Sequence, residues 1–279
     1  MAHESRLGPD GLGHEPRSPP AHPTPCQHQS LAQRARSVRQ AVAPTHPTAH
    51  STLTETPPVK IDPAARPFTV MAAVPTVVAA LARRPRTTAA LGLLTAGVTL
   101  FFRDPDRTPD HTPVSDPDVV LAPADGIVMH VGEPQPGIAP PGEWQQVSIF
   151  LSLLDVHMNR SPYGGRVIDV THTPGRFLAA YRAASATKNE RSEIIVERVV
   201  GGRPRRVVYR QLVGQLARRI VTRVQPGDEI ATGGRMGLMK FGSRMDVFVP
   251  PEVQLEVSKG THAVGGETVL GRFPAADVP

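Results

Sequence analysis

From Phe101 onward, proline decides what the backbone can do. The stretch F-F-R-D-P-D-R-T-P (101–109) is a charged, proline-broken exit from an apolar segment, and Pro113, Pro117 and Pro123 follow it. Each proline removes a backbone donor and cannot sit inside a helix, so the pattern turns to short β segments. Candidate strands run over 119–122, 127–131, 146–151, 166–171, 192–200, 206–213, 218–224 and 244–249, separated by turns carrying Gly-Gly, Pro-Gly and Asn. Many short strands at this spacing predict a mainly β (α+β) protein, with a β-sandwich or barrel-like domain over 104–279.

The chain before this domain divides in two. Residues 1–66 are rich in Pro, His, Ser, Thr and Gln without a sustained apolar period. Such a stretch cannot bury enough surface to offset the entropy of ordering, so a disordered tail is expected. It holds the single cysteine, Cys26, which excludes an internal disulfide and a Cys-rich metal site, and whose place in such a stretch argues against a cysteine nucleophile. Six of the eleven histidines also fall there (His3, His14, His22, His28, His46, His50), at irregular spacing, and no metal is expected. The tail lacks the charged start and apolar core of a secretory signal, and Met71 opens a more ordinary sequence, making it a candidate translation start.

Residues 67–103 hold two apolar runs, 69–82 and 87–102, split by Arg83-Arg84-Pro85-Arg86. Each is shorter than the ~20 residues of a spanning helix. Two buried helices, a re-entrant hairpin or anchoring at a membrane surface all fit, and membrane association is favoured because the arginines are placed to meet lipid headgroups.

A net charge of +6 and a pI near 10.1 favour anionic partners, nucleic acid or an anionic membrane. Seven arginines and no acid lie between Arg203 and Arg223. That run is either a solvated hairpin face or, beside an apolar anchor, a face for anionic lipid. Tyr209 is its one aromatic residue, which argues against nucleic acid. Neither a G-x-G-x-x-G after a strand nor a Walker sequence is present, which argues against a nucleotide cofactor.

Three short stretches carry residues able to do chemistry. A-P-A-D-G-I-V (122–128) puts Asp125 before a glycine, which is also an ordinary turn signal. S-I-F-L-S-L-L-D-V-H-M-N-R-S-P-Y-G-G (148–165) puts His157 just after a very apolar strand, where a structural histidine would also sit. G-L-M-K-F-G-S-R-M-D-V-F-V-P (237–250) clamps Gly242-Ser243 between two strand-like runs. The pair reads as a β-bulge or tight turn, or as a strained junction where a hydroxyl lies beside the carbonyl of Gly242. Together the three supply an Asp, a His and a Ser, the inventory for general-base activation of a hydroxyl.

With F-F-R-D-P-D-R and K-N-E-R-S-E-I (188–194) added, five stretches in order over about 95–273 resemble the phosphatidylserine decarboxylase proenzymes, in their shorter bacterial and archaeal form. The resemblance implies self-cleavage at Gly242-Ser243 and conversion of Ser243 to a pyruvoyl group, the covalent cofactor. Asp125 would orient His157 and stabilise its charge, and His157 would take the proton of the Ser243 hydroxyl. The alkoxide would attack the Gly242 carbonyl to give an ester, and β-elimination and hydrolysis would leave pyruvoyl and ammonia. A Schiff base with phosphatidylserine would then release CO2, and reprotonation, with His157 as donor, would give phosphatidylethanolamine. The enzyme would work as a heterodimer of its large and small chains, peripheral on the cytoplasmic face of the cell membrane. One departure stands out: longer relatives carry two histidines in the stretch matching 155–162, and this chain has His157 alone. An ungapped alignment sets it at the first with Arg160 at the second, and alignment on V-H-M sets it at the second.

A reading from a different class is a lipoyl- or biotinyl-like barrel acting as a carrier or adaptor. V-Q-P-G-D-E-I-A-T-G-G (224–234) suits such a barrel, and Met239-Lys240 resembles a biotin acceptor. A carrier lysine belongs on an exposed hairpin tip, however, and Lys240 lies in an apolar run. The carrier also leaves Asp125, His157 and Ser243 without a purpose.

Overall fold

The computed structural model describes residues 60–107, 116–215, 219–240 and 242–275. The expected tail up to residue 59, with Cys26 and its six histidines, lies outside them, as do Pro113 and Arg218.

Both apolar runs form helices, α1 (Arg66–Leu81) and α2 (Pro85–Phe101). The break between them falls where Arg83 takes φ +52 and Pro85 opens α2 at a position whose N–H has no helical partner anyway. A 3-10 turn (Pro63–Ala65), capped by the Asp62 carboxylate, extends α1 backwards. The resulting helix, Pro63–Leu81, has 19 residues and a mean hydropathy of 1.5, long and apolar enough to cross a membrane by length and composition. At 17 residues α2 is shorter. The two helices meet through small and hydroxylated residues. Thr76 and Thr95 lie 3.0 Å apart, Thr69 and Thr99 3.3 Å apart, and Thr95 also donates to the Ala72 carbonyl at 3.0 Å. Their large side chains point away: Val74, Val78, Leu81, Leu93 and Leu94 are all more than half exposed.

Residues 60–66, expected to belong to the disordered tail, are ordered instead. Ile61 bridges to Arg103, and the buried Asp62 accepts a 2.7 Å hydrogen bond from Arg223. These are single long-range pairings, which leave no apolar period in the sequence.

Five strands, β1 (Val119–Leu121), β2 (Gly126–Gly132), β3 (Gln145–Leu151), β4 (Met158–Arg160) and β5 (Gly165–Thr173), precede a helical turn, α3 (Ser185–Lys188). Strands β6 (Arg191–Val200) and β7 (Arg203–Leu212) make a hairpin that turns at Gly201-Gly202, both at positive φ as a two-residue turn requires. Then come β8 (Ile220–Thr222), β9 (Glu229–Ile230), β10 (Arg235–Met239), β11 (Ser243–Val249), β12 (Gln254–Leu255), β13 (His262–Ala263) and β14 (Val269–Arg272). An eight-stranded sheet has the order β13-β2-β3-β11-β7-β6-β5-β9, and two three-stranded sheets run β1-β14-β12 and β4-β10-β8. One hydrophobic core draws on all three, including Val120, Ile149, Tyr209, Met236, Val247 and Leu270. The mainly β expectation holds.

Strand β11 lies in the middle of the large sheet, paired with β3 and β7, and all seven of its residues are buried. Two of them are charged. Arg244 donates to Asp246 at 2.6 Å, to Gln135 at 2.9 Å and to Ser148 at 3.1 Å, with both ionic side chains fully enclosed.

The arginine-rich run is not a bare cationic face. Arg205 pairs with Asp118, Arg206 with Glu197, Arg210 with Glu193, and Arg223 with Asp62. Those acids come from β6 and from loops outside the 203–223 window, so the sequence run alone overstates the free charge. Arg203 and Arg219 are exposed.

Candidate active site

His157 stands where the turn after β3 enters β4. Asp155 closes that turn, its carboxylate accepting the Ser152 N–H at 2.7 Å, and the turn pushes Leu153 and Leu154 outward. The imidazole itself is fully buried and packs 4.3 Å from the ring of Phe101, the last residue of α2. Its Nδ1 lies 2.9 Å from the Asp155 carbonyl, and its Nε2 accepts the Gly242 N–H at 3.3 Å. A carbonyl on one side and an N–H on the other assign the proton to Nδ1 and leave the Nε2 lone pair facing Gly242. Burial lowers the pKa of His157, with the Asp155 carbonyl opposing that shift in part. A neutral imidazole whose Nε2 lone pair meets the Gly242 N–H, one residue before Ser243, is a candidate general base.

Gly242 takes φ +67, a conformation that side chains disfavour, and sets the corner between β10 and β11. Ser243 opens β11 opposite Leu151. Its Oγ is buried and makes no hydrogen bond to any described residue. An unpaired buried hydroxyl costs about 1–3 kcal/mol, which makes Ser243, next to Gly242, a candidate reactive group.

Asp125, expected to orient His157 and stabilise its charge, makes its hydrogen bonds to other partners. Both of its oxygens are held by the Arg107 guanidinium, with Nη2 at 2.7 Å, and Oδ1 also accepts the Gly265 N–H at 2.8 Å. Its influence on His157 is through charge, which favours the imidazolium weakly. The structure therefore joins His157 to the Gly242 N–H, leaves the neighbouring Ser243 Oγ without a partner among the described residues, and holds Asp125 in an ion pair with Arg107. The orienting contact comes from the backbone of Asp155, for which no side-chain signal exists in a sequence. Arg107 had a signal, as the last residue of F-F-R-D-P-D-R, but its partner could not be read. Arg160, at the place of the second histidine, reaches the carbonyls of Gly233 at 3.0 Å and Pro105 at 2.8 Å and serves the backbone. Among the described residues no group of three or more His, Cys, Asp or Glu could hold a metal ion.

Two hollows meet at Leu153. A cavity of about 220 Å³ is lined by Phe150, Ser152, Ala180, Tyr181, Gln215 and Gly242. A groove of about 740 Å³, almost wholly apolar, runs along α2 past Leu94, Val98 and Phe101 to Leu153, Leu154 and Arg103. Lys240 is not on an exposed tip: its Nζ lies 4.5 Å above the Phe68 ring.

Residues 94–271 match the family model described as phosphatidylserine decarboxylase. Curated relatives named phosphatidylserine decarboxylase proenzyme include one from Pelobacter propionicus, 44% identical over 186 residues (66% of this chain, 80% of the relative). One from Salinibacter ruber is 41% identical over 195 residues (70% and 83%), and one from Rickettsia rickettsii is 41% identical over 187 residues (65% and 77%). A buried histidine aimed at a glycine–serine corner defines a candidate for base-assisted attack by a hydroxyl. The chain belongs to the phosphatidylserine decarboxylase proenzyme family.

Proposed function

We propose that this chain is a self-processing decarboxylase that cuts itself between Gly242 and Ser243 and then converts phosphatidylserine to phosphatidylethanolamine and CO2. The observation that carries the reading is the contact between His157 Nε2 and the Gly242 N–H, beside a buried Ser243 hydroxyl with no partner among the described residues. His157 takes the Ser243 proton at Nε2, and the Asp155 carbonyl holds the ring through Nδ1. Asp125, joined to Arg107, stabilises the resulting positive charge at a distance. Ser243, as the first residue of the new small chain, becomes the pyruvoyl group: β-elimination expels the Gly242 carboxylate and leaves dehydroalanine, whose imine tautomer is hydrolysed by water with release of ammonia. An enclosed serine with an unsatisfied Oγ fits that origin. When formed, the group's carbonyl supplies an electron sink for an amine substrate losing its carboxylate.

The chain's own residues then bind, orient and exclude water. Ser152 and Gln215 offer polar contacts in the cavity beside Gly242, and the α2 groove takes the apolar part of a lipid. His157 Nε2 holds the proton that returns to the product carbon. The active form is a heterodimer of 1–242 and 243–279, peripheral on the cytoplasmic face of the cell membrane, its helical hairpin in the bilayer surface. The exposed apolar faces of α1 and α2 support that placement.

Intact-mass measurement of the purified protein tests the cut. Two chains are expected, with the small one resistant to Edman sequencing, while Ser243→Ala leaves one uncut, inactive chain. Borohydride with substrate traps an adduct on the small chain. An uncut wild-type chain that releases CO2 from phosphatidylserine overturns the reading, and an adduct on Lys240 redirects it to the carrier lysine.

A further inference from the structure

Two glycines, Gly214 and Gly242, meet at the carbonyl end of the Gly242-Ser243 bond, for different reasons. Gly242 needs its backbone angle, since a Cβ there would meet nothing within 4 Å. Gly214, just after β7, is outside the positive-φ region and has no such need. What it lacks is room. A Cβ at 214 would fall far inside the radius of the Gly242 carbonyl oxygen, 3.0 Å from its carbonyl carbon and 3.4 Å from Ala180 Cβ. The bare Cα of Gly214 is thus the floor on which the Gly242 carbonyl lies.

That floor is fixed from behind by Asn189, a fully buried residue of the K-N-E-R-S-E-I stretch. Its Nδ2 donates to the Val213 carbonyl at 2.8 Å and to the Leu178 carbonyl at 2.7 Å, and its Oδ1 accepts the Leu178 N–H at 2.9 Å. The Val213 N–H reaches the Glu190 carbonyl at 3.2 Å. One side chain therefore ties the residue before Gly214 to the segment that carries Ala180, and both segments wall the cavity beside Gly242.

The geometry points to Gly214, held by Asn189, as the positioning residue that fixes the Gly242 carbonyl for attack by Ser243; this rests on the self-processing reading above. In the step it serves, the Oγ–C bond to Gly242 forms and the C–N bond to Ser243 breaks. The proton passes from Oγ to His157 Nε2 and on to the freed amine, so atoms and charge balance without a co-reactant. A side chain at 214 pushes the carbonyl off its site, and a shift of about 1 Å costs on the order of 10²-fold in rate.

The test is the rate of self-cleavage of full-length chain, followed by intact mass from pH 5 to 8, in wild type, Gly214→Ala and Asn189→Ser. Gly214→Ala lowers the plateau by about 10²-fold and Asn189→Ser by about 10-fold, with the pH midpoint of wild type kept. A Gly214→Ala chain that folds and cuts within about threefold of wild type overturns the proposal, as does a slowed chain whose midpoint has moved towards that of free imidazole, since that marks a loosened site. If Gly214→Ala does not fold, Asn189→Ser decides, and a wild-type rate there overturns it. A wild-type chain that never cuts removes the parent reading, a result distinct from all of these.

Discussion

The helical hairpin and the β domain bury opposite kinds of side chain. Along most of the α1–α2 contact the paired residues are threonine, alanine and glycine, with Val74, Val78, Leu81, Leu93 and Leu94 facing outward, while Phe68, Val98, Phe101 and Phe102 cluster at its base. Within the β domain the apolar residues face inward, and even an arginine, Arg244, is enclosed once Asp246, Gln135 and Ser148 surround it. Small residues with hydroxyl hydrogen bonds are how helices associate where apolar burial between them gains nothing, as in a bilayer. The β domain obeys the opposite rule, that of a chain folding in water. The difference supports the proposed placement of the hairpin at a membrane surface, and Phe101 links the two regions: it ends α2 and touches His157.

The largest effect expected from breaking this contrast is on membrane binding. Val74, Val78, Leu81 and Leu93 changed together to serine remove about 1.5 kcal/mol or more of apolar transfer each. Partition onto vesicles containing phosphatidylserine, measured by sedimentation, then falls by more than about 10³-fold while self-cleavage continues at its usual rate. Undiminished binding would show that the hairpin is not the anchor. Next in size, Arg244→Ala leaves Asp246 buried without its cation and costs about 3–5 kcal/mol in urea unfolding, whereas Arg244→Met with Asp246→Leu recovers most of that loss.

A third effect separates the enclosed imidazole from the enclosed guanidinium. Burial holds the folded pKa of His157 below 6.5, so above pH 6.5 neither the folded nor the unfolded state carries the proton. As pH falls through 6.5 the unfolded state takes the proton first and stability drops, by at most about 1.4 kcal/mol per pH unit until the folded pKa is reached. His157→Gln flattens that slope in thermal melts, and in wild type self-cleavage fades with a midpoint below 6.5. The smallest effect is Thr95→Val at the helix contact, about 0.6 kcal/mol in vesicles; a loss of several kcal/mol would mean the hairpin pairs as it would in water.

How much of this was legible follows from what each element needs. Strands such as 146–151, 192–200 and 244–249 were readable because both neighbours and the core demand apolar or β-branched residues there, and they appear within a residue or so of their expected bounds. The two-residue strands β9, β12 and β13 were not, since their pairing is set by partners far along the chain. Ser243 and His157 stand as candidates by residue type and order. The carbonyl of Asp155, the floor at Gly214 and the capture of Asp125 by Arg107 are backbone or partner facts, which residue identity does not encode. The arginine run misled because charge was counted without the acids that fold against it.

Strand β11 begins at Ser243 and lies between β3 and β7, while β13 and β14 pair with β2 and β1. The segment that a cut at Gly242 would free is therefore woven into two sheets and stays in place. Folding before the proposed cut would be first order, one chain finding one arrangement. After such a cut, any molecule that unfolds would have to meet its other half in solution, so recovery would slow with dilution. At low concentration the lifetime of the cut protein would then be set by its unfolding barrier.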